Sequence, residues 1–328
     1  MILFEKDWLK YPGACIHYET KNESFVRLAE VYYKMGVKNC AFHMSLLDPD
    51  LKEVDVFSDN LDITTLAKVI NECKSNPWYF FREVLRIPVP GSIEATRFRA
   101  DRGNIALYWL FFNHILTALV VQRQTGKTTS LMSLVTYLMD IGTTNTFINL
   151  LTKNASLKAE TLEKVKTLFM ELPEPLNFSS KKDIFNSDEV HISALSNTFK
   201  GNLSSSSPKQ AEKVGRGFVS PINLIDEIAY VSNISVAMSA MLMAGNAARE
   251  YARQLGKHYG TILATTAGDI DDRDGGYVYK LVSNATDWSE LMYDCKDLED
   301  LNDTIFKNSN ASGNETKRPI VHISLSYR

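Results

Sequence analysis

Two short stretches of this 328-residue chain carry residue types whose spacing can do chemistry. In the first, the apolar run Leu116-Thr117-Ala118-Leu119-Val120-Val121 leads into Gln122-Arg123-Gln124-Thr125-Gly126-Lys127-Thr128-Thr129. The run is short enough for one buried strand, and a helical pattern follows it. In the order strand, loop, helix, the loop's backbone N–H groups and the helix N-terminus face an anion. Lys127 can there neutralise the β- and γ-phosphates of a nucleoside triphosphate, and the Thr128 hydroxyl can ligate Mg²⁺. The usual pattern has a further glycine five residues before Gly126, and that position here is Val121. Taken alone, Gly-Lys-Thr also fits a surface turn before a helix.

The second stretch, Val219-Ser220-Pro221-Ile222-Asn223-Leu224-Ile225-Asp226-Glu227, is an apolar run that ends in paired acids. A strand ending there puts both carboxylates at its C-terminal end, and open α/β sheets bind ligands beyond the carboxyl ends of their strands. Asp226 can then hold the Mg²⁺ side and Glu227 can polarise an attacking water. The bland alternative is a strand ending in a solvated acidic turn.

The elements that must position these residues are readable from period and punctuation. Leu61–Arg86 reads as helical with a break at Pro77, and Asn76 to Phe81 is dense in aromatics suited to anchoring a core. A helix from Asn104 to about Ile115 precedes the buried strand, and His114 at its end is given no chemistry. Residues 127–141 read as a helix stopped at Gly142. Strands are expected over Thr144–Leu151, Glu189–Leu195, Thr261–Thr266 and Pro319–Tyr327. Helices are expected over Ser156–Leu172 and, as one long element, Val231–Gly256. Ser204 to Pro208 reads as a polar loop, and residues 297–318 as a mobile connection. Strands alternating with helices predict an α/β fold with a mainly parallel sheet covered on both faces.

Composition narrows the function classes. A 45% hydrophobic content and this length allow a full core. A net charge of −3 excludes a generally basic nucleic-acid coat but leaves room for a local basic patch. Cys15, Cys40, Cys73 and Cys295 lie too far apart for metal-site spacing and read as thiols in a reducing compartment. Met1-Ile2-Leu3-Phe4 runs at once into charge, unlike a secretory signal, and the apolar stretch 105–121 is interrupted by Asn113 and His114, unlike a membrane span.

Several segments, taken in order, resemble the ATPase half of a large terminase, the motor that packages DNA into tailed-phage and herpesvirus capsids. Gln122 to Thr129 is similar to that family's variant phosphate loop, which lacks the first glycine. Ile222 to Tyr230 is similar to its hydrophobic-Asp-Glu-x-Ala segment, Ala264-Thr265-Thr266-Ala267-Gly268 to its coupling motif, and Gly215-Arg216-Gly217 to the Arg-Gly before the acidic strand. The resemblance covers about residues 76–285. It implies a P-loop NTPase of the ASCE/RecA-like type in residues 61–328, with residues 1–60 as a helical accessory region. The family's nuclease domain is expected to be absent from this chain.

The resemblance also implies roles. ATP and Mg²⁺ are the expected cofactors, with Thr128 and Asp226 on the metal, Glu227 on the water, and Gln122, Gln124, Thr125, Gly126, Lys127, Thr128 and Thr129 on the phosphates. Arg123 would reach the γ-phosphate in cis. Arg216 would be a finger inserted into a neighbouring subunit's site, the alternative being a solvated turn residue. Thr265 and Thr266 would sense the γ-phosphate. The family often grips adenine with an Arg and a Gln; the matching stretch, Arg97 to Ile105, has three arginines and no Gln, so Arg102 or Asn104 is expected to substitute. Expected partners are double-stranded DNA, a portal protein and a small terminase subunit. The chain would form a homo-oligomeric ring when assembled and be monomeric alone, in host cytoplasm and transiently on a procapsid, without membrane contact. Rival readings are a P-loop helicase-like ATPase and a nucleotide-binding assembly protein that hydrolyses nothing.

Overall fold

The structure is a computed structural model, and it describes residues 1–217, 219–310 and 319–324. Its centre is a nine-stranded sheet. In chain order the strands are β1 (Leu116–Val120), β2 (Phe147–Thr152), β3 (Ile184–Phe185), β4 (Glu189–Ile192), β5 (Asn197–Leu203), β6 (Ile222–Asp226), β7 (Gly260–Thr265), β8 (Thr286–Asp287) and β9 (Ile320–Ile323). Their spatial order is β8-β9-β1-β7-β6-β2-β5-β4-β3. The first seven in that order pair in parallel; β4 and β3 add an antiparallel edge. The α/β, mainly parallel expectation therefore stands.

The helices are α1 (Glu23–Lys34), α2 (Ile63–Ser75), α3 (Arg102–Phe112), α4 (Lys127–Tyr137), α5 (Ala155–Met170), α6 (Pro208–Arg216), α7 (Ile234–Ala244), α8 (Asn246–Gln254), α9 (Arg273–Ser283) and α10 (Leu298–Lys307). Buried parallel strands read as continuous apolar runs because both faces are covered. Ile222 and Leu224 of β6, with Ile262 and Ala264 of β7, join one core with α3, α4 and α5. Ile225 and Leu263 point the other way, into a second core with Ala211, Ile234, Met238 and Val278 from α6, α7 and α9. The period of two along each strand thus feeds two helical layers.

Residues before 60 share the first core. Ile2, Phe25, Phe42 and Met44 are fully buried with Trp78, Tyr79, Phe80 and Phe81. Trp78 Nε1 donates to Ile2 O and Trp109 Nε1 to Leu3 O, each at 3.0 Å. The Arg82 guanidinium, also fully buried, donates to His43 O at 2.9 Å and Ser45 O at 3.2 Å, and its charge meets Glu83 at 2.9 Å. Among the described residues no helix is long and apolar enough to cross a membrane, and the four cysteines are free thiols.

Two sequence expectations need correction, and two further elements were not anticipated. The stretch after Leu195 contains β5, hidden by Lys200, Gly201 and Asn202. Gly201 is small because a Cβ there would meet Lys158 Cγ of α5 at 2.5 Å. Residues 208–216, to which no element is assigned from the sequence, form α6; Ala211 and Gly215 are buried and Val214 packs half-buried against the second core. The single helix expected over Val231–Gly256 is two, α7 and α8, separated at Gly245, whose added Cβ would meet Arg249 Nη1 at 2.7 Å and Ser220 O at 3.0 Å. Within the expected connection 297–318, residues 298–307 are α10. Asp297 caps it by accepting from Glu299 N and Asp300 N at 3.0 Å, and Leu301 and Ile305 bury an i, i+4 pair that the polar composition concealed. Residues 311–318 of that connection, and 325–327 of the expected last strand, lie outside the described residues.

Candidate active site

The strands β1, β7, β6 and β2 are neighbours, and their carboxyl ends form one edge. All four deliver residues there. After β1 the chain makes the loop 122–126, in which Gln124 (φ 63°) and Gly126 (φ 80°) both occupy the left-handed region. Thr125 Oγ1 closes the turn by donating to Gln122 O at 2.8 Å. Alternating right- and left-handed residues turn successive N–H groups to one side, which makes an anion nest. Gly126 suits its position because left-handed backbone costs glycine nothing, whereas the same geometry at Gln124 is strained. Helix α4 begins at Lys127, so its N-terminal dipole points into the same space.

Strand β6 ends at Asp226, fully buried, and the chain turns at once at Glu227 (φ 58°). That left-handed residue ends the strand abruptly and separates the two carboxylates. Asp226 Oδ1 accepts the Glu227 N–H at 3.0 Å, and Asp226 Oδ2 accepts from Thr128 Oγ1 at 3.1 Å. Lys127 Nζ, almost fully buried, lies 3.0 Å from Asp226 Oδ1 and 2.7 Å from Glu227 Oε1. Glu227 Oε2 accepts from Thr266 N at 3.4 Å and Thr266 Oγ1 at 3.3 Å. Burial alone would push the Glu227 carboxyl up. The Lys127 ammonium outweighs it and, with Thr266 and Lys153, holds the group below the usual carboxylate range.

These groups line a cleft of about 520 Å³, bounded by residues 122–129, Glu227, Thr266 and, from the β2 side, Lys153, Glu160 and Lys164. Gln122, Arg123 and Gln124 stand at its rim, all three exposed. Thr265 lies beneath: it is buried, its hydroxyl donates to Thr266 O at 2.7 Å and accepts from Ala229 N at 3.4 Å. The arrangement presents a nest, a buried ammonium and a carboxylate–hydroxyl pair to one volume. It can receive a polyanion at the loop and hold a hard divalent cation on oxygen donors. Thr128 and Asp226 fit that cation's chemistry, being an adjacent hydroxyl and fully buried carboxylate.

Three expected residues lie elsewhere. Arg102 does not line the cleft; its Nε donates to Glu290 Oε1 at 2.6 Å. Asn104, the other substitute for an adenine-gripping Gln, is spent on Arg99 O at 2.9 Å and on the Asp101 cap of α3. Arg216 stands in the last turn of α6, mostly exposed and paired with Glu212 four residues earlier, rather than in a turn. Gly215 beside it is a contact point: a Cβ there would meet Ala237 O of α7 at 2.4 Å. Lys153, Glu160 and Lys164 were missed. The signal for Lys153 was present, since it directly follows Thr152 at the carboxyl end of a buried strand.

No protein-family model matches the chain, and no curated protein matches it. Among solved structures it is similar to the large terminase of bacteriophage HK97, at 13% identity and TM-score 0.41, over 59% of this chain and 38% of that one. It is similar to the ATPase domain of the Thermus phage P74-26 large terminase, at 12% identity and TM-score 0.45, over 69% and 81%. It is also similar to the large terminase of a thermophilic bacteriophage in complex with ADP, at 10% identity and TM-score 0.37, over 69% and 46%. The match thus spans less than half the length of the first and third of these chains.

Proposed function

We propose that this chain is a Mg²⁺-dependent ATPase of the large-terminase type, which couples hydrolysis to the movement of double-stranded DNA into a procapsid. The observation that carries the hydrolytic part is the meeting of Lys127, Thr128, Asp226 and Glu227 at one sheet edge beside the anion nest. The packaging part is supported by the ordered motifs: the phosphate loop without its first glycine, Asp226-Glu227-Ile228-Ala229, and Thr265-Thr266-Ala267.

Phosphoryl transfer needs mainly positioning and neutralised charge. The nest at 122–126 and the α4 N-terminus bind and orient the phosphates. Lys127 exchanges its carboxylate partners for phosphate oxygens, which frees Glu227. Glu227 then accepts a hydrogen bond from water and orients it, in line with the leaving group. Thr128 and Asp226 would hold Mg²⁺, whose chemistry is to offset charge on the β- and γ-oxygens. Thr266, donating to Glu227, keeps that carboxylate aimed. Arg123 on the rim is a cation available to the γ-phosphate in cis.

The test is single-turnover hydrolysis with Glu227→Gln. Nucleotide binding with Mg²⁺ should persist while turnover falls roughly 10²- to 10⁴-fold, the range for losing a general base. Equal loss of binding and turnover would sink the assignment. Turnover absent from the wild-type chain as well would leave the non-hydrolysing assembly protein as the better reading.

A further inference from the structure

The cations of the cleft are not equivalent. Lys127 is engaged by Asp226 and Glu227, and Lys164 lies 3.0 Å from Glu160 on the same helix. Lys153 is held differently. It is exposed, it follows the last residue of β2, and its Nζ stands 4.9 Å over the ring of Tyr230. Tyr230 closes the short 3₁₀ turn Ile228–Tyr230 just past Glu227, and its hydroxyl donates to Ala267 O at 2.7 Å, just past Thr266. One aromatic ring therefore ties the turn after the acid pair to the end of β7, and carries on its face a cation from the end of β2. An ammonium over an exposed ring is held more loosely than an ammonium on a phosphate oxygen. The ring is thus a position from which an arriving phosphate can draw Lys153 away.

We infer that Lys153 is a further phosphate-binding cation of this cleft, selective for the terminal phosphate of a nucleoside triphosphate, and that Tyr230 holds it ready until that phosphate arrives. The inference rests on the reading of the cleft as a nucleotide site. The loop at 122–126 receives the inner phosphates, while Glu227 marks the side from which water approaches the terminal one. Lys153 stands on the Glu227 side, over the ring of Tyr230 in the turn that directly follows Glu227, and Lys153 and Glu227 both line the one cleft. A diphosphate ends short of it, so Lys153 distinguishes substrate from product, a task that Lys127 in the loop does not perform.

The experiment is calorimetric titration of the full chain with ADP and with a non-hydrolysable ATP analogue, each with Mg²⁺, for wild type, Lys153→Ala and Lys153→Arg. Lys153→Ala should weaken the analogue about tenfold or more, the scale of one charge-assisted contact, and leave ADP within about twofold. Lys153→Arg should keep the preference for the analogue. Equal weakening of both nucleotides, or of neither, overturns the inference while leaving the cleft as a nucleotide site. So does a Lys153→Ala chain that loses only affinity for duplex DNA. A wild-type chain that binds neither nucleotide overturns the cleft reading itself, and the inference with it. Lys153 is exposed, so matching melting curves for the three proteins establish that the fold is intact.

Discussion

At the residue scale, Lys127 is the group whose removal has the clearest consequences. It is the internal counter-ion of a fully buried Asp226 and a half-buried Glu227. Lys127→Ala should abolish ATP hydrolysis and weaken nucleotide binding; hydrolysis at the wild-type rate would show that the loop is misassigned. The same substitution removes the main group opposing burial at Glu227, so its carboxyl should titrate higher than in wild type, which carbon-detected NMR of labelled glutamate can read. Asp140 offers a prediction away from the site. It is fully buried, Oδ1 accepts from Phe178 N at 3.1 Å, and Oδ2 has no hydrogen-bond partner among the described residues. Burial pushes its carboxyl up to about 8. The folded state therefore keeps a proton that the unfolded state has lost. Its stabilising contribution is complete below the ordinary carboxylate range and fades as pH rises toward 8. Asp140→Asn should gain stability relative to wild type between about pH 5 and pH 7, by about 2–3 kcal/mol at about 1.4 kcal/mol per pH unit. Denaturant unfolding at the two pH values measures it, and a constant difference would contradict the assignment.

At the element scale, the junction of α6 and α7 is a tight helix contact. Gly215 is required there because a Cβ would strike the backbone oxygen of Ala237 at 2.4 Å and Ala240 Cβ at 2.7 Å. Gly215→Ala should force the helices apart and cost roughly 1–3 kcal/mol, the usual penalty for overpacking. Gly217→Ala is the control, since its nearest neighbour, Val214 O, stands at 3.3 Å. A thermal midpoint unmoved by Gly215→Ala would mean that α6 does not lie on α7. This junction also explains why α6 was illegible. Its apolar face is short, Ala211, Val214 and Gly215, and the glycine that reads as a turn signal is a packing device. The elements that were legible, β1, α4, α5, β6 and β7, have long apolar or periodic runs whose burial is written into every second or fourth residue.

At the scale of the whole molecule, charge and assembly decide the behaviour. On the proposed function, a net charge of −3 means that any grip on DNA comes from a local patch. The chain alone should bind duplex DNA weakly and lose that binding steeply with salt; binding that survives high salt, or base-sequence specificity, would argue against translocation. Arg216 is exposed at the end of α6, away from its own cleft, so a role in catalysis would have to be played in a neighbouring subunit. Mixing Arg216→Ala subunits with Glu227→Gln subunits under assembly conditions tests this. Partial recovery of ATPase activity is expected if the arginine acts in trans, and none if it is only structural. By itself the sequence determined the loop after β1, the acids at the end of β6 and the mainly parallel sheet, because each is encoded by neighbours within a turn or a strand. Only the tertiary structure decided that Lys127 reaches a carboxylate 100 residues away. It also decided that Arg102 is taken by Glu290, 188 residues on, and that Lys153 shares the cleft. Such partners are chosen by strand order and helix packing, which place residues in space without leaving a local pattern in the chain.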